Sequence, residues 1–129
     1  MKKKLLLIKT SFHIINIVLI IIYLYPGSIF GWILYDNIKK QPQLTSDFSI
    51  FSSNHVYAFV ILSIFGLCAY YRNKLKILFL YLFFISIFLE LCQILIPERS
   101  FEFHDLYGNL FGVSIIFLLF YMYKFFKKI

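Results

Sequence analysis

The chain has 129 residues, of which 61% are hydrophobic, 22% aromatic and only 15% charged. A water-soluble domain of this size leaves roughly a third of its surface exposed after folding, so it cannot hide that much apolar side chain from water. Apolar runs of about 20 residues, each long enough to cross roughly 30 Å of hydrocarbon as a helix, recur along the chain. The composition therefore predicts a single-domain, all-α integral membrane protein over residues 1–129 and excludes a water-soluble one.

The first predicted span covers residues 5–25 and stops at a Pro-Gly pair. Its basic start resembles that of a secretory signal peptide, but no small-residue cleavage pattern follows, so we expect a retained span. The next apolar stretch, residues 28–35, is too short to cross a membrane, and Trp32 within it favours the membrane interface. Residues 36–53 are polar and predict an irregular loop.

Three further spans are predicted at residues 55–71, 77–96 and 105–123. The third span is almost purely apolar until its last two turns, where Glu90 and Gln93 lie three residues apart. Residues at that spacing share one side of a helix. The third span therefore ends with a polar face.

The fourth span begins with a stripe of polar and small residues. Asp105, Asn109 and Gly112 follow an i, i+4, i+7 pattern, which places them on one helical face. Gly108 and Gly112 lie four apart and form a small-residue seam that allows a neighbouring helix to approach closely. Polar groups and close packing are thus predicted on the same side of this helix.

Basic residues are distributed unevenly between the two ends of the four spans. Ten fall on one side: Lys2, Lys3, Lys4, Lys9, Arg72, Lys74, Lys76, Lys124, Lys127 and Lys128. Only Lys39, Lys40 and Arg99 fall on the other, so the positive-inside rule predicts that both termini are cytoplasmic. The net charge of +7 is thereby explained as a topology signal, and no nucleic-acid partner is expected.

Polar residues gather near the outer ends of the second, third and fourth spans and in the loop between the last two. Antiparallel helices joined by a short loop pack side by side, so these side chains can converge on one outward-facing pocket. A carboxylate such as Glu90 costs at least a few kcal/mol in hydrocarbon unless it is protonated, paired or hydrated, and Arg99 is the nearest candidate partner. The candidate site residues are His55, Glu90, Gln93, Arg99, Asp105 and Asn109.

The spacing of these residues resembles that of the VanZ-like family of small bacterial membrane proteins. The resemblance rests on a histidine, His55, that opens an apolar segment and on seven later positions: Glu90, Gln93, Pro97, Arg99, Asp105, Asn109 and Gly112. Members of the family often carry Asp-Lys shortly before that histidine, whereas this chain has Phe-Ser-Ser-Asn at residues 51–54. Asp47 could replace the missing acidic residue only if the intervening loop folds back.

The resemblance implies work at the bacterial cell envelope, in the cytoplasmic membrane. The family takes its name from a member linked to resistance to the glycopeptide teicoplanin, and it supplies no established reaction. One interpretation is a pocket that binds an anionic lipid, a glycolipid, a lipid-linked envelope precursor or a glycopeptide-type ligand. Arg99 and His55 would meet phosphate there, because a guanidinium can hold phosphate through two parallel hydrogen bonds. The amides of Gln93 and Asn109 would bond neighbouring hydroxyl or amide groups.

A second interpretation is a membrane-embedded enzyme acting on an outer-leaflet phosphate or glycan. Glu90, Asp105 and His55 would perform acid-base chemistry or hold a divalent metal. The sequence contains no H-E-x-x-H, cysteine cluster, G-x-S-x-G or Gly-rich phosphate loop, so it predicts no cofactor and no metal motif. A third possibility is that these polar residues only tie helix ends together, and a homo-oligomer is left open.

Overall fold

The computed structural model describes residues 2–127 and is entirely helical over that range. Its α-helices are α1 (Lys2–Leu24), α2 (Ile29–Tyr35), α3 (Ser53–Tyr70), α4 (Leu75–Cys92) and α5 (Phe103–Lys127), and α4 continues into a 3-10 turn at Gln93–Leu95. Four of these segments are long and apolar enough to cross a membrane: α1, α3, α5, and α4 with its 3-10 turn. The predicted all-α fold with four candidate spans is confirmed. The direction in which each span crosses stays a prediction, and Lys128, which contributes to it, lies outside the described residues.

The four long helices begin two or three residues earlier than predicted. Polar residues such as Ser53 and Asn54 continue the helical backbone beyond the apolar run, because a helix end can extend into the polar headgroup layer. The third span ends slightly differently from the prediction, since its α-helix stops at Cys92 and only a 3-10 turn follows. This tighter last turn places Gln93 at the beginning of the connection to α5.

α3 lies at the centre of the bundle, where it packs against α1, α4 and α5. Phe59 and Leu62 of α3 are fully buried, together with Leu82 of α4 and Val113 of α5. Large apolar side chains elsewhere on the helices, such as Leu80, point outwards and are exposed. Because lipid is as apolar as these side chains, helix association depends on close packing and polar contacts between the helices.

Glycines of α5 bring this helix very close to α3. A Cβ atom at Gly108 would lie 2.8 Å from the carbonyl oxygen of Ser52 and 3.0 Å from the Cβ of His55. A Cβ at Gly112 would lie 2.7 Å from the carbonyl oxygen of Val56. Both positions therefore require glycine at the present helix separation, and the predicted seam is the α3–α5 contact.

A tight turn after α1 folds the following segment back over the end of the bundle. Gly27 has a φ of 86°, a left-handed conformation that glycine adopts without strain. The Ser28 side chain then caps α2 by accepting from the Gly31 amide at 2.9 Å, and the Ser28 amide donates to the Ile38 carbonyl at 2.7 Å. At Gly31 there is no room for a side chain, since a Cβ would lie 1.8 Å from the Lys40 carbonyl oxygen.

Candidate functional site

Three titratable side chains from three helices meet at one end of the bundle. His55 lies in the first turn of α3, Glu90 in the last turn of α4 and Asp105 in the first turn of α5. The Nε2 atom of His55 is 3.4 Å from Asp105 Oδ2, and its Nδ1 atom is 3.9 Å from Glu90 Oε2. The His55 and Glu90 side chains are buried, whereas that of Asp105 is 21% exposed. The structure thus brings together the three residues that the sequence suggests for acid-base chemistry.

Asn109 connects this cluster to the rest of the bundle. Its Nδ2 donates to the Ser86 carbonyl of α4 at 3.1 Å, and its Oδ1 accepts from the Tyr23 hydroxyl of α1 at 2.6 Å. The same oxygen is 3.0 Å from His55 Nδ1. A backbone carbonyl can only accept, so the amide nitrogen must face Ser86 and the amide oxygen must face Tyr23 and His55. One buried amide therefore joins all four long helices.

These contacts also assign the hydrogen on the imidazole ring of His55. The Tyr23 hydroxyl gives its hydrogen to Asn109 Oδ1, so Nδ1 of His55 faces acceptors and carries a hydrogen. In the neutral ring, Nε2 then presents a lone pair towards the Asp105 carboxylate oxygen. Two facing lone pairs repel each other, and the arrangement is stable only when a proton or another cation lies between them.

Glu90 is fully buried, and its two carboxylate oxygens have different surroundings. Oε1 accepts a hydrogen bond of 3.2 Å from the backbone amide of Glu102, one of the free amides at the start of α5. Oε2 has no hydrogen-bond partner among residues 2–127 and lies beside His55. Glu90 therefore stabilises the α4–α5 connection with one oxygen and leaves the other buried and unsatisfied.

Arg99, the nearest candidate partner of Glu90 in the sequence, makes no ion pair with it within residues 2–127. Within the described range its guanidinium makes no ion pair, and it donates instead to the carbonyls of Ile22 at 3.0 Å and Tyr25 at 3.3 Å, with a longer contact of 3.4 Å to Gln41 Oε1. The end of α1 leaves carbonyl groups without helical partners, and the forked donors of arginine suit them. Burial lowers the pKa of Arg99, although an arginine side chain remains charged at any physiological pH.

A polar pocket of about 130 Å³ opens next to this cluster. Asp105 connects the cluster to the pocket, and Gln93, which is only 2% exposed, also lines it. The Nε2 atom of Gln93 has no hydrogen-bond partner among residues 2–127. The lining residues are Gly27, Ser28, Ile38, Lys39, Gln41, Gln93, Glu98, Arg99, Ser100, Glu102 and Asp105. A buried amide donor and a partly exposed carboxylate are thus available to a bound molecule.

The loop before α3 folds back so that Asp47 reaches the first residue of that helix. Asp47 Oδ1 accepts a hydrogen bond of 2.9 Å from the amide of Ser53, the first residue of α3, whereas the N-cap residue Ser52 makes no side-chain cap. The hydrogen bond from the Ser53 amide lowers the pKa of Asp47. Asp47 therefore acts as the capping residue of the helix that carries His55.

Tyr23 is the principal site residue that the sequence analysis missed. An aromatic residue near a span end is typical of the membrane interface, so its hydroxyl did not suggest a buried role. The buried residues of α1 are Phe12, Asn16, Leu19 and Tyr23, spaced four, three and four apart. The polar Asn16 in that stripe is the signal that could have placed Tyr23 on the inner face.

The cluster has the composition of a metal-binding site. One ligand atom from each of His55, Glu90 and Asp105 lies within 4.8 Å of the other two. Imidazole nitrogen and carboxylate oxygen both bind divalent zinc or manganese. A motif search along the sequence does not detect this grouping because the three residues come from three different helices.

Four long apolar helices with a buried polar cluster at one end define a multi-pass helical membrane protein. A family model described as VanZ/LLP1 matches residues 7–126, which is nearly the whole chain. The chain therefore belongs to the VanZ/LLP1 family, as the spacing of its polar residues predicts. No curated protein and no solved structure matches it.

Proposed function

We propose that this protein binds the polar headgroup of an anionic envelope lipid, or of a lipid-linked envelope precursor, in the pocket beside Asp105. One observation carries the proposal: the pocket is lined almost entirely by polar residues, yet it lies at the end of a bundle whose outer surface is apolar. A lipid whose acyl chains lie along the helices would present its headgroup at the level of the helix ends. The pocket offers hydrogen-bonding and charged groups at that level.

The size of the pocket favours a headgroup over a whole antibiotic. Pockets for drug-sized ligands have volumes of roughly 300–1,000 Å³, and this one has about 130 Å³. A phosphate or a single sugar is a better match than a glycopeptide. Any contribution to teicoplanin resistance would then come from altered handling of an envelope lipid.

Charged groups at the pocket can exchange their present partners for a phosphate. Lys39 and Glu98 form an exposed ion pair of 3.8 Å, which contributes little to stability and is readily replaced. Arg99 uses two of its nitrogens on α1 carbonyls, and its third has only the 3.4 Å contact to Gln41. Gln93 adds a buried N–H donor that has no partner within residues 2–127.

Native mass spectrometry of the purified full chain can test headgroup binding with two probes that share the same acyl chains. The probes are phosphatidylglycerol, which is anionic, and diacylglycerol, which lacks the phosphate. We expect preferential retention of phosphatidylglycerol. Gln93→Met should reduce this retention about fivefold, because the loss of one hydrogen bond costs roughly 1 kcal/mol of binding free energy.

Ser63→Ala is a matched control, because Ser63 Oγ is also buried and unpartnered within residues 2–127 but does not line the pocket. It should leave lipid retention unchanged. Equal retention of both probes, or full phosphatidylglycerol retention by a folded Gln93→Met variant, would contradict the proposal.

We further propose that the pocket faces outwards from a bacterial cytoplasmic membrane, with both termini in the cytoplasm. The excess of basic residues at the opposite ends of the spans supports this orientation. A Ser100→Cys variant, in a chain whose Cys68 and Cys92 are replaced by serine, should react with a membrane-impermeant thiol reagent in intact cells. Labelling only after cell lysis would indicate that the pocket faces the cytoplasm.

A second candidate function is hydrolysis of an outer-leaflet phosphate or glycan. The 3.4 Å approach of His55 Nε2 to Asp105 Oδ2 at the pocket favours it, because such a pair can exchange a proton with a bound water. Phosphate release from phosphatidic acid, lost in Asp105→Asn and in Glu90→Gln, would support an enzyme. Equal release by wild type and Asp105→Asn would exclude catalysis by this pair.

A further inference from the structure

We propose that His55, Glu90 and Asp105 form a binding site for one divalent cation of the zinc or manganese type. The ligand atoms lie within 4.8 Å of one another, whereas two ligands of the same ion are at most about 4.2 Å apart at metal–ligand distances near 2.1 Å. The three ligand atoms must therefore move closer together by at least a few tenths of an ångström to bind the same ion.

The unsatisfied atoms of the cluster point to a cation. Glu90 Oε2 is buried without a hydrogen-bond partner among the described residues, and His55 Nε2 directs a lone pair at Asp105 Oδ2 across 3.4 Å. A divalent ion bound by His55, Glu90 and Asp105 would replace the repulsive contact at Asp105 and the unmade contact of Glu90 Oε2 with coordination bonds. It also compensates two carboxylate charges that no arginine or lysine pairs with inside residues 2–127.

The surroundings of His55 match those of a metal-binding histidine. Such a histidine donates its second ring N–H to a neighbouring acceptor, which fixes the tautomer and the orientation of the ring. Asn109 Oδ1 receives the Nδ1 hydrogen of His55 here and is itself held by Tyr23 and Ser86. Nε2 is therefore the nitrogen available to the ion.

The polar pocket supplies an entry path and the remaining coordination positions. Asp105 lies at the boundary between cluster and pocket, so an ion can reach the three ligands through the pocket. Gln93 Nε2, buried and unpartnered among residues 2–127, can donate to a water or a phosphate oxygen bound to the ion. Three protein ligands and an open position are typical of zinc sites that bind a substrate or water.

A bound ion would also explain how the pocket accepts an anion. Glu102 and Asp105 line the pocket and would repel a phosphate headgroup, and Glu90 lies immediately behind them. With an ion in place, the phosphate could bind the metal directly. In this respect the inference rests on the proposed headgroup function, although metal binding itself can be measured without any lipid.

Metal binding can be measured on the purified full chain after chelator treatment, in a background with Cys68→Ser and Cys92→Ser so that thiols do not bind zinc. Titration with Zn²⁺ or Mn²⁺ by calorimetry, and metal analysis after desalting, should give one ion per chain. Asp105→Asn and Glu90→Gln keep side-chain shape and should weaken binding about 100-fold or more, beyond the loss typical of outer-shell changes. Asp36→Asn, which changes a carboxylate outside both the ligand set and the pocket, should bind like the parent.

Failure of the two proposals can be told apart. Absence of saturable binding, or equal binding by the parent and Asp105→Asn, overturns the metal site. Phosphatidylglycerol retention that persists in chelator also overturns the proposed link between ion and headgroup, while leaving headgroup binding in place. One bound ion without any preference for phosphatidylglycerol supports the metal site and overturns the headgroup function.

Discussion

The Oδ1 atom of Asn109 lies 3.0 Å from Nδ1 of His55, in a region where both side chains are buried. This contact places the hydrogen of the neutral ring on Nδ1 and leaves Nε2 free to face Asp105. The amide that fixes the imidazole also binds α1 through Tyr23 and α4 through Ser86. Site geometry and bundle stability therefore depend on the same residue.

Asn109→Leu should destabilise the bundle by about 1–3 kcal/mol, because it leaves the Tyr23 hydroxyl, the His55 ring and the Ser86 carbonyl without their shared partner. Thermal unfolding in detergent, followed by circular dichroism, gives the comparison. Asn16→Leu is the control, since the Asn16 side chain makes one hydrogen bond within residues 2–127, to the Tyr81 hydroxyl. A loss of stability no larger in Asn109→Leu than in Asn16→Leu would contradict the central role of Asn109.

Arg99→Ala should lower stability by about 1.5–3 kcal/mol, the usual range for hydrogen bonds made by a charged group. Stability is lost because the Ile22 and Tyr25 carbonyls at the end of α1 no longer have the hydrogen-bond donors of Arg99. Arg99→Lys should recover only part of it, because an ammonium group lacks the forked donors. Arg72→Ala is a suitable control, since among the described residues Arg72 donates only to the exposed hydroxyl of its neighbour Tyr71. An Arg99→Ala variant as stable as wild type would show that the caps are dispensable.

Gly112→Ala should destabilise the protein by about 1–3 kcal/mol, the typical effect of overpacking. Its Cβ would meet the backbone oxygen of Val56 at 2.7 Å, and a backbone cannot move aside without separating α3 from α5. Gly66→Ala is the matched change, because the nearest atoms there are the side-chain ends of Leu78 at 2.9 Å and Phe12 at 3.1 Å. We expect a smaller loss at Gly66, measured by thermal unfolding of both variants. The reverse order would mean that the α3–α5 seam tolerates expansion.

Asp47 makes the stability of the α3 start dependent on pH. The folded-state pKa of Asp47 is depressed by the Ser53 amide, so its stabilising effect is complete above the unfolded pKa of about 3.9 and is lost as pH falls through the lower folded value. Asp47→Asn keeps an accepting oxygen but removes the charge, so it should have a lower melting temperature than wild type at pH 7. The difference should shrink below about pH 4.

Asp36→Asn provides the comparison for this pH series, because the Asp36 backbone amide caps α2 while its carboxylate makes no hydrogen bond among residues 2–127. It should leave the melting temperature unchanged at both pH values. A constant Asp47→Asn difference from pH 7 to pH 3 would contradict the capping role of the Asp47 carboxylate.

Several features follow from the sequence because they depend on local composition. Apolar runs of span length predicted the four long helices, since a helix satisfies its own backbone hydrogen bonds in lipid. The short interfacial segment corresponds to α2, and Gly108 and Gly112 indicated a close helix contact before the neighbour was known. The alternation of spans placed His55, Glu90 and Asp105 at the same end.

Only the tertiary structure decided which atoms meet. Charge alone suggested Glu90 as the partner of Arg99, but its guanidinium binds free carbonyls at the end of α1 instead. A residue pattern does not predict which backbone carbonyls will lie near an arginine. Tyr23 joins the site because α1 packs against α3, a choice made by the fit of whole helix faces. The sequence therefore determined the spans and the polar residues near their ends, whereas helix packing determined that ligand atoms of His55, Glu90 and Asp105 lie within 4.8 Å of one another.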